Sequence, residues 1–299
     1  MGSKLRGYLL AVLSSISYGL IPLFMLPLKA VGFPVDTTLV YRFSLAALFI
    51  GIYLVIKKES FKISFRELLT LMALGCLFAM SSDFLFIGYD YASPGIASTI
   101  LFVFPVFVAL IMVFFFKEKI SKGTVWSLFI TVCGIFALST KEAFLDINPL
   151  GVLFSLLSAL SYALYIVVVN KAKISASGTK ITFYSLGFSA VFYLLKSLIF
   201  RETLVVHDPK ILLHIAIFAL VTTVVSVTSL VYAIQLIGST PTAILGALEP
   251  IVAVCISVIL FGEKLTAGLF AGIFLILLGV IINIISDNRN KSPEEPATS

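Results

Sequence analysis

Residues Ala243 to Glu263 read AILGALEPIVAVCISVILFGE. They are apolar almost throughout, with one acid, Glu249, near the middle and Pro250 directly after it. A helix beginning near Thr240 rises about 1.5 Å per residue, which sets Glu249 about 13 Å along its axis. That depth is close to the midplane of a hydrocarbon layer about 30 Å thick. An ionisable group there costs about 2.5–3.5 kcal/mol on insertion scales, so it should face protein or water and serve a function. Pro250 has no N–H. The carbonyl of Gly246 therefore lacks its helical partner and is free to meet a ligand or water.

Composition sets the solvent for the rest of the chain. With 60% hydrophobic and 12% charged residues and a mean hydropathy of +1.13, a water-soluble fold would expose large apolar patches. The chain reads as an all-α polytopic membrane protein. Its net charge of +6 does not point to nucleic acid, because the Lys and Arg residues lie between apolar spans rather than along one face. Cys76, Cys133 and Cys255 all fall within spans, without CxxC spacing or a nearby histidine. Neither a disulfide framework nor a metal site is expected, and no cofactor.

Ten transmembrane helices are predicted: Gly7–Leu28, Thr37–Ile56, Leu68–Gly88, Gly95–Phe116, Gly123–Ser139, Gly151–Val169, Ile181–Phe200, Ile211–Ile234, Pro241–Phe261 and Ala267–Ser286. The first is too long for a signal peptide and lacks a small-residue cleavage site, so it reads as a retained helix. Residues 287–299 are polar, contain two prolines and read as a disordered cytoplasmic tail. With the N-terminus inside, the loops around Lys57–Arg66, Lys117–Lys122 and Lys171–Lys180 are cytoplasmic. Only Lys29, Lys141, Arg201, Lys210 and Lys264 then lie in outer loops. That bias places both termini in the cytoplasm of a cell with this protein in its inner (plasma) membrane.

A shift of about 144 residues superposes the two halves, 1–144 and 145–286. Leu13, Ser14, Ser17 and Tyr18 fall on Leu157, Ser158, Ser161 and Tyr162. One residue further, Pro105, Glu118, Lys119, Gly123 and Gly134 fall on Pro250, Glu263, Lys264, Gly268 and Gly279. Each half holds five helices, and an odd number sends the second copy into the membrane from the opposite side. An inverted repeat of this kind is the architecture of alternating-access carriers.

Tyr41-Arg42-Phe43 early in the second helix, and the proline-to-glutamate segments ending Phe116-Lys117-Glu118-Lys119 and Phe261-Gly262-Glu263-Lys264, resemble the EamA branch of the drug/metabolite transporter superfamily. The resemblance spans residues 7 to 286. It implies a ten-helix carrier with a central cavity between the halves and with the fifth and tenth helices peripheral. It also implies export of amino acids, their derivatives or other small metabolites. One departure stands out. Phe104 occupies the place of Glu249 in the first half, so an acidic site here is asymmetric.

Candidate site residues follow from depth and repeat. Glu249 either titrates in a transport pathway or makes an interhelical hydrogen bond. Arg42 and Asp83 each lie about five residues inside the outer ends of their helices, and equal depth predicts an ion pair; Arg42 is equally a candidate for substrate contact. Tyr18, Tyr162 and Tyr165 could line a cavity and hold an ammonium group by cation–π attraction, or simply pack. Gln235 could bond a substrate or a neighbour. Pro105 and Pro250 are expected to break their helices, and Lys196 to snorkel to the outer surface. Gly268 and Gly272 suit close packing against the fifth helix.

The reading is a secondary-active exporter of small amino-acid, amine or zwitterionic metabolites, with the bilayer and a small-molecule substrate as partners and protons coupled through Glu249. The alternatives are a facilitator without ion coupling and an intramembrane enzyme acting on lipid. An enzyme would need a positioned nucleophile, base or metal set, and the spans hold no HExxH or GxSxG motif.

Overall fold

The computed structural model describes residues 2–91, 97, 100–138, 148–172, 174–200, 204–206, 208–261 and 267–290. All regular structure among them is helical: α1 (Ser3–Gly19), α2 (Ile21–Ala30), α3 (Val35–Ile56), α4 (Phe65–Tyr91), α5 (Phe104–Phe116), α6 (Lys122–Leu138), α7 (Pro149–Lys171), α8 (Gly178–Phe200), α9 (Pro209–Phe218), a π-helical segment (Ala219–Val225), α10 (Ser226–Ile237), α11 (Ser239–Gly246), α12 (Glu249–Phe261) and α13 (Ala267–Asn290). Six stretches are long and apolar enough to cross a membrane, among them Val35–Ile56, Phe65–Tyr91 and Pro209–Ile237. Phe104–Phe116, Lys122–Ala137 and Phe270–Ser286 are apolar but shorter. The chain is a multi-pass membrane protein.

Helix starts follow local chemistry. Asn148 and Asp208 each precede a proline, and each side chain accepts a hydrogen bond from the N–H two residues on, Leu150 and Lys210. The carboxamide or carboxylate satisfies one orphan donor, and the proline sits where no N–H is needed. Ser64 and Glu67 cap α4 reciprocally, Glu67 N–H donating to Ser64 Oγ and Ser64 N–H to Glu67 Oε2.

Several predicted spans are interrupted. The first is kinked at Leu20, between α1 and α2, with Pro22 in the first turn of α2. The ninth, expected as one helix over Pro241–Phe261, divides at Ala247–Leu248 into α11 and α12. The fourth has its matching interruption at Phe102–Val103, ahead of α5. The eighth carries the π segment, and α13 runs through Asn290, past the predicted end at Ser286. Residues 262–266 and 291–299, which include the outer loop at Lys264 and most of the expected tail, lie outside the described residues.

Small hydroxyl residues lie buried among the apolar core side chains, while the outer face is apolar. Ser14, Ser155, Ser158, Thr182, Ser185 and Ser189 are buried, whereas Phe114, Phe115, Ile199, Phe200 and Phe270 are exposed. Lipid offers no hydrophobic drive between helices, so close contacts fall to small residues whose hydroxyls bond across the interface. Those bonds are reciprocal between the halves. Ser226 Oγ donates to the Ser14 carbonyl at 3.1 Å, and Ser158 Oγ donates to the Ser81 carbonyl at 2.6 Å. Ser158 is the repeat of Ser14, and Ser226 of Ser81. Thus α1 of one half lies on α10 of the other, and α7 lies on α4.

The same exchange governs α6 and α13, which pack on each other. A Cβ on Gly134 would meet Ile276 Cγ1 at 2.8 Å and the Gly272 carbonyl at 2.9 Å. A Cβ on Gly279 would meet Thr131 Oγ1 and the Ser127 carbonyl. All three positions correspond under the repeat shift. Ser127 Oγ adds a bond to the Gly279 carbonyl at 2.7 Å.

Loop contacts sort the described connections to two ends. At one, Gly7 packs on Ile237, Asn170 Nδ2 donates to Ser239 Oγ at 2.9 Å, Lys171 pairs with Glu118 at 3.5 Å, Ser177 Oγ donates to Glu59, and Ser121 bonds Ser286. At the other, Tyr41 OH donates to the Leu204 carbonyl at 2.8 Å and Lys196 meets Asp36. The first end carries the lysine-rich loops, together with the start of α1 and the end of α13.

Candidate functional site

The two interruptions of matched position, 102–103 and 247–248, face each other at the centre of the bundle. Their backbones are alike. Val103 N–H donates to the Ile100 carbonyl at 3.1 Å, and Leu248 N–H donates to the Leu245 carbonyl at 3.0 Å, three-residue closures in place of the α-helical four. Each helix then restarts at once, with Pro105 or Pro250 in its first turn, where a missing N–H breaks no bond. Each proline would have bonded the carbonyl four residues back. The break falls between that carbonyl and the proline.

The interruptions touch through Gly246. A Cβ there would meet Phe104 Cζ at 2.7 Å and lie 3.7 Å from Glu249 Oε1. Only glycine lets the Phe104 ring and the Glu249 carboxyl share this corner. The Glu249 backbone also lies against α1, where a Cβ on Gly19 would come within 2.8 Å of the Glu249 carbonyl. Glu249 is 4% exposed, with its Oε1 in the corner beside Gly246. It lies at the N-terminus of α12, where the helix dipole favours negative charge.

An aromatic wall joins it. Phe104 meets Tyr162 edge-on at 4.7 Å, Tyr162 stacks with Tyr18 at 6.5 Å and with Tyr165 at 6.4 Å, and Phe78 tilts against Tyr165 at 5.2 Å. Glu249 is close enough to Tyr18 and Tyr162 to interact with both electrostatically. The predicted tyrosines therefore converge on the acid. Tyr165 is fully buried.

Arg42 stands on the other side of Tyr18, its Cζ 5.7 Å from that ring and 4.6 Å from the ring of Phe218. Its Nε donates to Thr223 Oγ1 at 2.6 Å, and its Nη2 is buried without a partner among the described residues. Thr223 owes its position to the π segment. The run Val221-Thr-Thr-Val-Val225 crowds an α-helix with branched side chains, and Thr222 Oγ1 bonds back to the Phe218 carbonyl at 2.9 Å. The wider turn buries both threonines.

The expected Arg42–Asp83 pair is not formed. Asp83 pairs with Lys196, which also reaches Asp36 at 3.3 Å, so Lys196 is held between two carboxylates rather than snorkelling freely. Depth along a helix says nothing of azimuth. Asp36 and Arg42 are six residues apart on α3 and, at about 100° per residue, point to different sides. One side meets α8 and Lys196; the other meets α1, α9 and the π segment. Gln235 is likewise not brought to the site: it is exposed, on the opposite side of α10 from the buried Ala233, Ile234 and Ile237. Gly272 packs on α6, its carbonyl 2.9 Å from a Cβ built on Gly134.

The chain matches the EamA-like transporter family twice, over residues 5–140 and 149–285. It belongs to that family. A similar protein, an uncharacterized transporter of Archaeoglobus fulgidus, is 29% identical over 186 residues, 62% of this chain; the match spans 65% of that relative's length. A protein known from its crystal structure shares the fold, with a TM-score of 0.80 at 16% identity, covering 96% of this chain and 99% of the other. Each of the two matches carries one of the facing helix breaks.

Sequence reasoning missed Thr223, Phe218 and Phe78. A threonine pair inside an apolar span was the available signal for the first. Nothing in the sequence pointed to the aromatic rings, because phenylalanine is common throughout the spans.

Proposed function

We propose that this chain is a secondary-active exporter of small zwitterionic metabolites, amino acids or their amine derivatives, working by alternating access around the central site, with protons coupled through Glu249. One observation carries the reading. Two buried side chains of opposite charge, Glu249 and Arg42, flank Tyr18 rather than pairing with each other, and the Arg42 Nη2 keeps bonding capacity that no described residue uses. A buried charge left unmet is costly, so a ligand that meets both is strongly favoured. An ammonium group suits Glu249 and the faces of Tyr18 and Tyr162; a carboxylate suits the Arg42 guanidinium. A proton on Glu249 competes with the ammonium for the same carboxyl, which links the two fluxes. Both partners are buried here, so loading requires the halves to part, toward one side and then the other.

Purified protein in liposomes, tested for counterflow of amino acids, the corresponding amines and the corresponding carboxylic acids, decides the substrate class. Zwitterions should exchange well above both single-charge sets. Equal exchange of the amines alone would remove Arg42 from the site. The same proposal places the basic end of the bundle, with both termini, in the cytoplasm of a plasma membrane. In a background lacking native cysteines, a cysteine at Ser60 or Ser175 should react only with membrane-permeant reagents and one at Val205 with impermeant ones. Outside labelling at Ser60 overturns that orientation.

A further inference from the structure

The face of the bundle between α3 and α8, near the basic end, carries a groove of about 450 Å³ that the central site does not use. Leu48, Ile52, Val55 and Ile56 of α3 form one wall, with Phe61 and Phe183 opposite. Gly51 gives the groove its floor, since a Cβ there would meet Phe183 Cε2 at 2.9 Å. The lining is hydrocarbon, and the surface faces the lipid. In a membrane this space is filled by something apolar.

The mouth of the groove is cationic. Lys57 and Lys58 follow α3 directly and are exposed, Lys62 follows Phe61, and Lys180 in the first turn of α8 donates its Nζ to the Lys62 carbonyl at 2.6 Å. The neighbouring acid, Glu59, is turned aside to accept a hydrogen bond from Ser177 Oγ at 2.9 Å. Lys58 has a left-handed backbone, φ 55°, at a helix end where glycine is the ordinary residue. The turn is held by Lys58 N–H to the Val55 carbonyl and Glu59 N–H to the Leu54 carbonyl, both at 3.0 Å. A strained lysine in place of an unstrained glycine keeps a charge at this mouth at a backbone cost.

We propose that the groove is a binding site for an anionic phospholipid, with one acyl chain along Gly51 and Phe61 and the headgroup phosphate between Lys58 and Lys62; Lys57 is turned away over the Tyr53 ring. A zwitterionic headgroup brings its own ammonium to the same lysines and gains less. This proposal rests on the membrane fold and stands apart from the transport reading.

The test uses the full chain in detergent and native mass spectrometry, with phosphatidylglycerol and phosphatidylcholine of identical acyl chains, and glycerol 3-phosphate alone. Phosphatidylglycerol should be retained about tenfold more tightly than phosphatidylcholine. The double change Lys58→Gln with Lys62→Gln should remove that preference, and Ala47→Phe, which fills the groove, should weaken both lipids. Ile52→Trp at the exposed wall makes the same test if Ala47→Phe does not fold. Equal retention of the two lipids, or a preference that survives the lysine changes, overturns the headgroup site. Undiminished phosphatidylglycerol binding in the filled groove overturns the acyl site. Glycerol 3-phosphate bound as tightly as phosphatidylglycerol makes this a free-phosphate site and overturns the proposal as well.

Discussion

The break at Phe102–Val103 and the break at Ala247–Leu248 are one backbone device made twice. Both close through a three-residue hydrogen bond, and both restart with a proline in the first turn. Three of their side-chain differences matter here. Phe104 stands where the second copy has Glu249, Leu101 where it has Gly246, and Ala159 where it has Ser15. Ser15 Oγ donates to the Leu245 carbonyl at 3.0 Å, so the second break is braced by a bond its counterpart lacks. The comparison separates two tasks. Prolines and the repeat make an interruption; a few substitutions in one copy make it a site, and the other copy supplies the ring that packs against it.

If the chemistry resides in the second copy alone, Glu249→Gln should bring the largest effect. It keeps size and hydrogen bonding but cannot titrate. The protein should fold normally in detergent, and flux driven by an imposed pH gradient should fall to that of empty liposomes while downhill exchange persists. Phe104→Leu, the matching change in the first copy, should leave driven flux in place. Full driven flux in Glu249→Gln would sink proton coupling and return this carboxyl to a packing role.

Making the copies alike is the converse experiment. Phe104→Glu places a second acid beside Glu249 with nothing to meet it, at a cost of about 2.5–3.5 kcal/mol for an acid at that depth. Folded yield and melting temperature should drop sharply. A wild-type melting temperature would mean that water or a cation already reaches the corner.

Gly246→Ala tests the close approach itself. The added methyl overlaps the Phe104 ring and should destabilise by about 1–3 kcal/mol, the usual range for overpacking. Phe104→Leu in the same chain should recover most of the loss. Without recovery, the clash lies elsewhere.

Ser15→Ala is expected to have the smallest effect, about 0.5–1.5 kcal/mol for one hydrogen bond, read as a lower melting temperature with driven flux retained. A loss of flux at full stability would instead make Ser15 part of the moving machinery.

Much of the fold was legible because membrane burial writes a strong signal. Runs of apolar residues, basic loops and prolines at fixed places in two halves need no tertiary knowledge to be read, and Glu249 with the tyrosines was found by depth and repeat alone. Arg42 and Asp83 show where that method stops. Their depths matched, yet α3 turns Arg42 toward Tyr18 and Phe218, while Lys196 takes Asp83. Gln235 failed for the same reason, since its position along the helix was right for a ligand and its direction was not.

By itself the sequence determined that the chain is an all-helical, multi-pass membrane protein of two repeats, and that one acid and one proline stand at the middle of an apolar run in the second half. These are properties of composition and spacing, which lipid and backbone hydrogen bonding act on directly. Only the tertiary structure decided that the two breaks meet, that a π turn delivers Thr223 to Arg42, and that Arg42 lies against Tyr18 while Asp83 goes to Lys196. Those outcomes depend on how each helix is rotated about its axis. Rotation is set by the fit of Gly246, Gly19 and the serine pairs against their neighbours, which is shape shared between distant residues.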